Sequence, residues 1–407
     1  MMKVLSVNKF YYKKGGSETY FFELNELLKE NNIEVSLFSM KDEKNYKNNY
    51  EKYFVENIDY SNMNLLEKIK NAVKIVYSIE AKNKINKLIK DKKPDIAHLN
   101  IFQHQLSPSI IHALKDNNVK IVNTVHDLKV ICPNYKMLNS NGICEECKGG
   151  RYYNCVKHNC IKGSKLNSMV CVLEAYVNKY LKSYSYVDKF ICPSKFYKQK
   201  LIEFGLPKEK IEYLPNFVDV NKFTPNFKVT SNYFAYIGRL SEEKGIKTLI
   251  EAMKHIKNID LYIVGDGPLG DELKEQAYNL NINNIKFLGF KDGNELEHIV
   301  REAKFIVVPS EWYENCPMTI IESMAYGKGV LGSDCGGIPE LIKDKVNGLI
   351  FKNGDKEDLA EKINYLINNP EETKKMGVIG RKIAENEYDK KFHINRLIEI
   401  YDEVLSK

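Results

Sequence analysis

Short β-branched runs alternate with amphipathic helical patterns along the chain, and this alternation constrains the fold more than any other feature. The strand candidates are KVLSVN, EVSLFS, DIAHLN, KIVNTVHD, KFICPS and IEYLPN in the first half, and YFAYIGRL, DLYIVG, IKFLGF, FIVVPS and GVLGSD in the second. Such alternation is typical of parallel sheets with helices on both faces. It predicts a doubly wound α/β protein.

The alternation is interrupted once, and the interruption divides the chain. At 407 residues, two domains of about 150–200 residues are expected. The segment PNFVDVNKFTPNFKVTSN contains two prolines and several asparagines, which is typical of a linker. We expect one domain over 1–216, a second over 217–386 and a final amphipathic helix over 387–407. Because doubly wound domains bind ligands at the carboxyl ends of their strands, two facing domains would form a cleft.

Composition and patterning exclude several classes of protein. The net charge is +7 without a compact arginine-rich tract, so a nucleic-acid partner is not indicated. No apolar run approaches the roughly 20 residues that a membrane span needs. The N-terminus, MMKVLSVNKF, continues directly into a strand pattern and lacks a signal-peptide pattern. We therefore expect a cytoplasmic protein.

The segment 62–93 combines nine lysines with a helical apolar pattern. Such a helix can lie on anionic lipid, which would bring the protein to the inner face of a membrane. The pattern is more typical of a helix packed on the sheet with a lysine-rich outer face, and peripheral attachment stays open.

Two loops of the second domain suit a phosphate-bearing ligand. GRLSEEKG places Arg239 and Lys244 together, and two cations suit a diphosphate unless they are only solvated surface charges. LYIVGDGPLGDELK spells the G-x-G-x-x-G of a dinucleotide-binding dehydrogenase. That fingerprint belongs after the first strand of a domain, whereas this one follows the second, and no acidic residue ends the next strand. We therefore interpret Gly265 and Gly267 as a tight turn lining the ligand site.

A third loop, PSEWYENCPMTIIE, leads into a helix. Pro317 suits a first helical position, so nearby backbone N–H groups would point at a phosphate. A carboxylate at the edge of such a site accepts hydrogen bonds from ribose hydroxyls. The candidate ligand contacts of this stretch are Glu314, Asn315, Cys316, Met318, Thr319 and Glu322.

The first domain offers fewer candidates. Gly15 and Gly16 permit close backbone approach, and Ser17 is a candidate helix cap. His98 and His126 lie near the carboxyl ends of predicted strands, where site residues belong.

In their order, these motifs resemble those of the family 4 retaining glycosyltransferases (glycosyl transferases group 1). The matching stretches are GGSE, VHD, PNFVD, GRLSEEKG, VGDGP and ENCPMTIIE, of which the last fits the E-x7-E signature. The resemblance implies the GT-B fold, with two facing Rossmann-like domains and a C-terminal helix crossing back to the first. It also implies transfer of a sugar from a UDP- or GDP-linked donor to a glycan or lipid-linked acceptor, with retention, in surface polysaccharide or glycoconjugate biosynthesis.

The resemblance also implies roles for single residues. Arg239 and Lys244 would stabilise the leaving diphosphate, which Gly15 and Gly16 would approach from the other domain. Glu322 would hold the ribose, with Glu314 beside the donor sugar and the 315–319 backbone nearby. His126 would lie at the reacting centre, and we place His98 on the acceptor side. No catalytic metal is expected. The alternatives are a sugar-nucleotide epimerase or another non-transferase enzyme on the same fold, an NAD-dependent oxidoreductase, and a carbohydrate-binding module.

Five of the nine cysteines lie in an insertion over 132–160, and their spacing is typical of structural zinc. The candidate ligands are Cys132, Cys144, Cys147, Cys155 and Cys160, with His158 as a substitute. A set of reduced thiols is the alternative, and disulfides conflict with a cytosolic location.

Overall fold

The computed structural model of the protein describes residues 1–58 and 65–407. Two compact units are present. Unit 1 comprises Met1–Leu214 and Ile394–Lys407, and unit 2 comprises Pro215–His393. Of the lysine-rich segment predicted at 62–93, residues 62–64 lie outside the described residues.

Unit 1 is built on a six-stranded parallel sheet. Its order is β2-β1-β3-β4-β7-β8, with β1 Lys3–Val7, β2 Glu34–Phe38, β3 Ile96–Leu99, β4 Lys120–Thr124, β7 Lys189–Cys192 and β8 Ile211–Tyr213. An antiparallel hairpin, β5 Leu138–Asn139 and β6 Gly142–Ile143, lies in the cysteine-rich insertion. Every residue of β3 and β7 is buried, as expected for central strands covered on both faces.

The helices of unit 1 cover this sheet. They are α1 Gly16–Glu30, α2 Leu65–Val76, α3 Ile79–Lys92, α4 Ser109–Asp116, α5 Asn154–Lys157, α6 Lys165–Tyr180 and α7 Lys195–Glu203. The final helix of the chain, α15, spans Lys390–Leu405, and its residues from Ile394 onward belong to this unit. Ser17 lies inside α1 rather than capping it, because the helix already begins at Gly16 with Gly15 as its N-cap.

Unit 2 repeats the architecture. Its parallel sheet has the order β11-β10-β9-β12-β13-β14, with β9 Tyr233–Ile237, β10 Asp260–Val264, β11 Ile285–Gly289, β12 Phe305–Val308, β13 Gly329–Ser333 and β14 Gly348–Phe351. Its helices are α8 Ile246–Ala252, α9 Gly270–Asn279, α10 Gly293–Glu302, α11 Met318–Ala325, α12 Ile338–Leu341, α13 Lys356–Asn368 and α14 Pro370–Glu387. Alternate residues of each strand enter two apolar cores, such as Phe234 on one face and Ala235 on the other.

Across the described ranges, no helix combines the length and the apolar character needed to cross a bilayer.

Candidate functional site

The candidate residues of unit 2 gather at one edge of its sheet. β9 lies between β10 and β12, so the strand order reverses at β9. The strands are parallel, and the loops that follow β9, β10 and β12 therefore meet at the carboxyl edge. This switch point is where doubly wound sheets bind their ligands. Arg239 and Lys244 lie in the first loop, Gly265 and Gly267 in the second, and Glu314 in the third.

A buried ion pair joins the first and third loops. Lys244 Nζ lies 2.6 Å from Glu314 Oε1, which also accepts a hydrogen bond of 2.7 Å from Ser310 Oγ. Burial alone would raise the pKa of Glu314. Lys244 and the hydrogen bond from Ser310 outweigh it, so the pKa lies below its ordinary value. Glu314 is therefore an ionised carboxylate at neutral pH.

The same edge carries a free cation and an aromatic ring. Arg239 is exposed, and within residues 1–58 and 65–407 its side chain makes no hydrogen bond or ion pair. Trp312, the single tryptophan of the chain, lies with its ring centroid 5.5 Å from Lys244 Nζ. Neither Ser310 nor Trp312 was predicted, although both flank Glu314 in the sequence.

The glycines after β10 serve a close approach of two loops. A Cβ at Gly265 would lie 1.9 Å from the carbonyl oxygen of Gly238, and one at Gly267 would lie 2.2 Å from that of Leu240. Gly265 also has a φ of 136°, which side chains rarely adopt. These two glycines therefore hold the second loop against the first. Gly270 only begins α9, and a Cβ there would meet nothing closer than 3.7 Å.

Helix α11 begins one residue later than Pro317 suggests. Pro317 is its N-cap rather than its first residue, a displacement of the size usual at helix ends. The side chains of Cys316 and Met318 are buried, and burial raises the pKa of the Cys316 thiol to about 12. Only the backbone of these two residues can therefore meet a ligand. The other predicted contacts are half-buried, namely Asn315, Thr319 and Glu322.

In unit 1, Gly15 and Gly16 are exposed at the N-terminus of α1. Gly15 has an extended backbone with φ −172°, and a Cβ there would meet only Glu18 Oε2, at 3.7 Å. Nothing within the described protein therefore requires glycine at position 15. A requirement at this position would come from a ligand.

His126 follows β4 and is held as a neutral ring. Asn100 Nδ2 donates to the Val7 carbonyl at 3.3 Å, so Asn100 Oδ1 accepts from His126 Nε2 at 3.0 Å. The Tyr20 ring packs edge-on against it, with centroids 5.0 Å apart. Part of His126 is accessible, yet the surrounding protein desolvates the ring and lowers its pKa to about 3.

Charged groups beside His126 complete this edge of unit 1. Burial lowers the pKa of Lys9, against the attraction of Asp127 and Glu18. Burial raises the pKa of Glu18 and that of Asp127. Lys9 and Glu18 were not predicted, although Glu18 belongs to the GGSE motif and Lys9 lies two residues beyond β1.

Two family models match the chain. The model described as Glycosyl transferases group 1 matches residues 218–383. The model described as Glycosyltransferase Family 4 matches residues 14–222, which is more than half of the chain. The chain belongs to glycosyltransferase family 4.

Similar proteins agree with this family. An uncharacterized glycosyltransferase of Methanocaldococcus jannaschii, MJ1178, is 32% identical over 56% of this chain and 63% of its own length. The amylovoran biosynthesis glycosyltransferase AmsK of Erwinia amylovora is 27% identical over 57% of this chain and 60% of its own length. The chain thus spans less than two thirds of the length of these two relatives.

A solved structure shows the fold. The Anabaena protein HepE in complex with UDP-glucose covers 99% of this chain and 100% of its own, with a TM-score of 0.68 and 18% identity. This likeness confirms the predicted GT-B class for the family 4 chain.

The structure corrects the prediction that His98 lies on the acceptor side of the site. Its side chain is 0% exposed, with Nδ1 2.5 Å from Tyr401 Oη and Nε2 2.7 Å from Thr124 Oγ1. Because the imidazole is enclosed inside unit 1 and bonded at both nitrogens, it cannot contact an acceptor. His98 instead joins β3, β4 and α15.

The structure does not support structural zinc. The five cysteines of the insertion do line one small cavity: Cys132, Cys144, Cys147, Cys155 and Cys160. Zinc would hold four ligand sulfurs about 3.8 Å apart. In the part of the chain that the structure describes, three suitable ligand atoms lie within 4.8 Å of one another only at His104, Cys171 and Glu174. His158 pairs with Glu146 at 2.9 Å.

The described cysteines are all free thiols. The hydrogen bond from Cys155 lowers the pKa of Cys160 to about 7. In the group formed by His104, Cys171 and Glu174, the carboxylate of Glu174 already lies 2.8 Å from Lys129 Nζ. A buried ammonium therefore supplies the positive charge that a metal would bring there.

Proposed function

We propose that this protein transfers a sugar from a UDP- or GDP-linked donor to a glycan or lipid-linked acceptor, with retention of configuration. The observation that carries the proposal is the Lys244–Glu314 pair at the switch point of unit 2, with the exposed Arg239 in the same loop. A cation held in place beside a free one suits a diphosphate leaving group.

The chemistry of departure explains this arrangement. When the bond from the anomeric carbon to the donor phosphate breaks, its electron pair goes to the diphosphate oxygen. Arg239 and Lys244 stabilise the charge that develops there, and Glu314 orients the Lys244 ammonium. Family 4 enzymes are generally independent of a catalytic metal. In this protein Arg239 and Lys244 would supply the positive charge that such a metal would otherwise bring to the diphosphate.

The nucleoside would be recognised beside the same loops. We assign the ribose hydroxyls to Glu322 and a phosphate to the backbone of residues 315–319. Gly265 and Gly267 keep the second loop close enough to the first to complete the donor site. We assign Gly15 and Gly16 to a phosphate contact because their backbone is exposed at the N-terminus of α1.

His126 would act as a neutral hydrogen-bonding group. With a pKa of about 3, its ring is a weak base and carries no charge at neutral pH. We therefore assign it to a sugar or acceptor hydroxyl rather than to removal of a proton.

The relatives support the class of pathway and of donor. AmsK is described as an amylovoran biosynthesis glycosyltransferase, and HepE binds UDP-glucose. These names support a nucleotide-sugar donor and a role in surface polysaccharide or glycoconjugate synthesis for this protein.

A donor screen tests the proposal. Thermal stability is followed with UDP- and GDP-sugars and with NAD(H), and products are then identified by mass spectrometry. Lys244→Met should abolish transfer. The matched control is Lys247→Met, because Lys247 lies in α8 and pairs with the exposed side chains of Glu242 and Glu272 rather than with Glu314. Stabilisation by NAD(H) with none by any nucleoside diphosphate would refute the proposal. Conversion of the donor sugar without transfer would favour the epimerase.

A further inference from the structure

Helix α6 presents an unusual outer face. Leu166, Met169, Leu173, Tyr176 and Tyr180 are 73%, 50%, 55%, 37% and 86% exposed. Their spacing of three and four residues places them in one row along the helix, which we call the α6 stripe. A continuous row of large exposed apolar side chains is uncommon on a soluble surface and marks an interaction site.

The opposite face of α6 already serves the core. Ser168, Cys171, Val172 and Asn178 are buried, so the helix is anchored in unit 1 independently of the stripe. Within the stripe, the Tyr176 ring packs edge-on against Tyr152 and its hydroxyl accepts from Tyr153 N at 3.4 Å. The stripe is therefore a second apolar face, of which Leu166, Met169, Leu173 and Tyr180 are the most exposed members.

The charge around the stripe has one sign. Lys165 and Lys179 are the exposed charged residues of α6, and Lys162 and Lys182 are exposed just beyond its two ends. The single acidic residue of the helix, Glu174, is 1% exposed and pairs with Lys129. An occupant of this face should therefore be apolar and anionic.

We propose that the α6 stripe docks the protein on an anionic phospholipid surface. Leucine and methionine would enter the acyl boundary, the lysines would meet lipid phosphates, and the tyrosines would lie at the interface, where their rings and hydroxyls are both accommodated. A second copy of the chain fits less well. Two-fold pairing of this face would bring Lys165 and Lys179 of one copy against lysines of the other.

This surface differs from the segment predicted at 62–93. Four apolar residues of α3, which are Ala81, Ile85, Leu88 and Ile89, are buried within unit 1, and Ile79 at its start is 69% exposed. Helix α3 therefore presents a single exposed apolar side chain rather than an apolar face. The α6 stripe is a separate surface from that segment, and it rests on the proposed function only in that a lipid-linked acceptor would be found at such a surface.

Vesicle flotation of the full chain tests the proposal. The protein should float with vesicles of phosphatidylcholine and phosphatidylglycerol, and much less with phosphatidylcholine alone. The double variant Leu166→Ser, Leu173→Ser should bind the anionic vesicles at least about tenfold more weakly. The matched control is Tyr278→Ser, Phe290→Ser, because these residues are 82% and 67% exposed on unit 2. It should float like the wild type.

Other results would overturn the proposal. One is flotation of the stripe variant that equals that of the wild type. Another is an equal loss of flotation in the control variant. A third is a wild-type dimer in sedimentation that the stripe variant does not form, with no vesicle binding by either. Thermal stabilisation by UDP or GDP, measured without vesicles, should be the same in the stripe variant and the wild type. Flotation without any nucleotide stabilisation would refute the proposed function and leave the docking surface standing.

Discussion

Replacing Lys244 by methionine should destabilise unit 2 more than replacing Glu314 by glutamine, although the two side chains form one pair. The Glu314 side chain is 8% exposed and that of Lys244 is 24% exposed. Without Lys244, a carboxylate remains that water hardly reaches. Breaking a buried pair costs about 3–5 kcal/mol, and the partial exposure of Lys244 points to about 3 kcal/mol. Glu314→Gln leaves an ammonium that can turn to water, and should cost about 1 kcal/mol.

The difference should depend on pH. In the wild type, the pKa of Glu314 lies below its ordinary value of 4.5. Its stabilising contribution is therefore present above pH 4.5 and is lost as the pH falls through the folded-state pKa. In Lys244→Met, burial becomes the main influence and raises that pKa above 4.5. The penalty of the variant should then be largest near pH 7 and shrink as the pH falls toward 4.5.

Fluorescence of the single tryptophan provides the assay. Trp312 belongs to unit 2, so its emission during urea unfolding reports that unit rather than the whole two-unit chain. The double variant Lys244→Met, Glu314→Gln should recover most of the loss. Lys247→Met should change the free energy of unfolding by about 0.5 kcal/mol or less. An equal or larger cost for Glu314→Gln, or a penalty of Lys244→Met that stays constant from pH 7 to pH 4.5, would refute the reasoning.

Three further predictions concern single residues. Gly15→Ala should leave thermal stability unchanged, because a Cβ there has room. It should lower the rate of sugar transfer on the order of tenfold or more, because the added Cβ would obstruct the ligand. Gly265→Ala should lower the free energy of unfolding by about 3 kcal/mol or more, because its Cβ would lie 1.9 Å from the Gly238 carbonyl oxygen; urea unfolding measures this. The ring of His126 should stay neutral from pH 8 to pH 5, because its pKa is about 3, and its NMR shifts should therefore not titrate in that range.

Runs rich in β-branched and aromatic residues predicted most strands, including short ones, and three strands were missed. The five strand runs predicted in unit 2 all contain strands, whereas β14, with the sequence GLIF, was not predicted. Length does not explain this, because β12 also has four residues and was predicted; FIVV has three β-branched residues, whereas GLIF has one. The two-residue strands β5 and β6 are shorter still, and their pairing depends on a turn in the cysteine-rich insertion.

The two histidines show why position along a strand matters more than residue type. His98 is the third of the four residues of β3, and His126 lies two residues beyond the end of β4. A residue within a central parallel strand is covered by helices on both faces, so His98 is enclosed. A residue beyond the strand reaches the carboxyl edge, where ligands bind. Sequence alone gives strand ends only to within a few residues. That error is as large as the number of residues that separates a buried position in a strand from an accessible position beyond its end.

Burial also separates two loops that look alike in sequence. GGSE and GRLSEEKG both follow the first strand of a unit and both suggest a phosphate site at a helix N-terminus. In unit 1 the charges are buried together, and burial lowers the pKa of Lys9 while raising those of Glu18 and Asp127. Lys9 is attracted by two acids of its own unit, and the exposed cations of this loop are Lys13 and Lys14, directly before Gly15. In unit 2 Arg239 is exposed, and no described residue pairs with its side chain. We therefore expect a diphosphate to be met at the edge of unit 2 by Arg239, which is free, and by Lys244, which Glu314 holds.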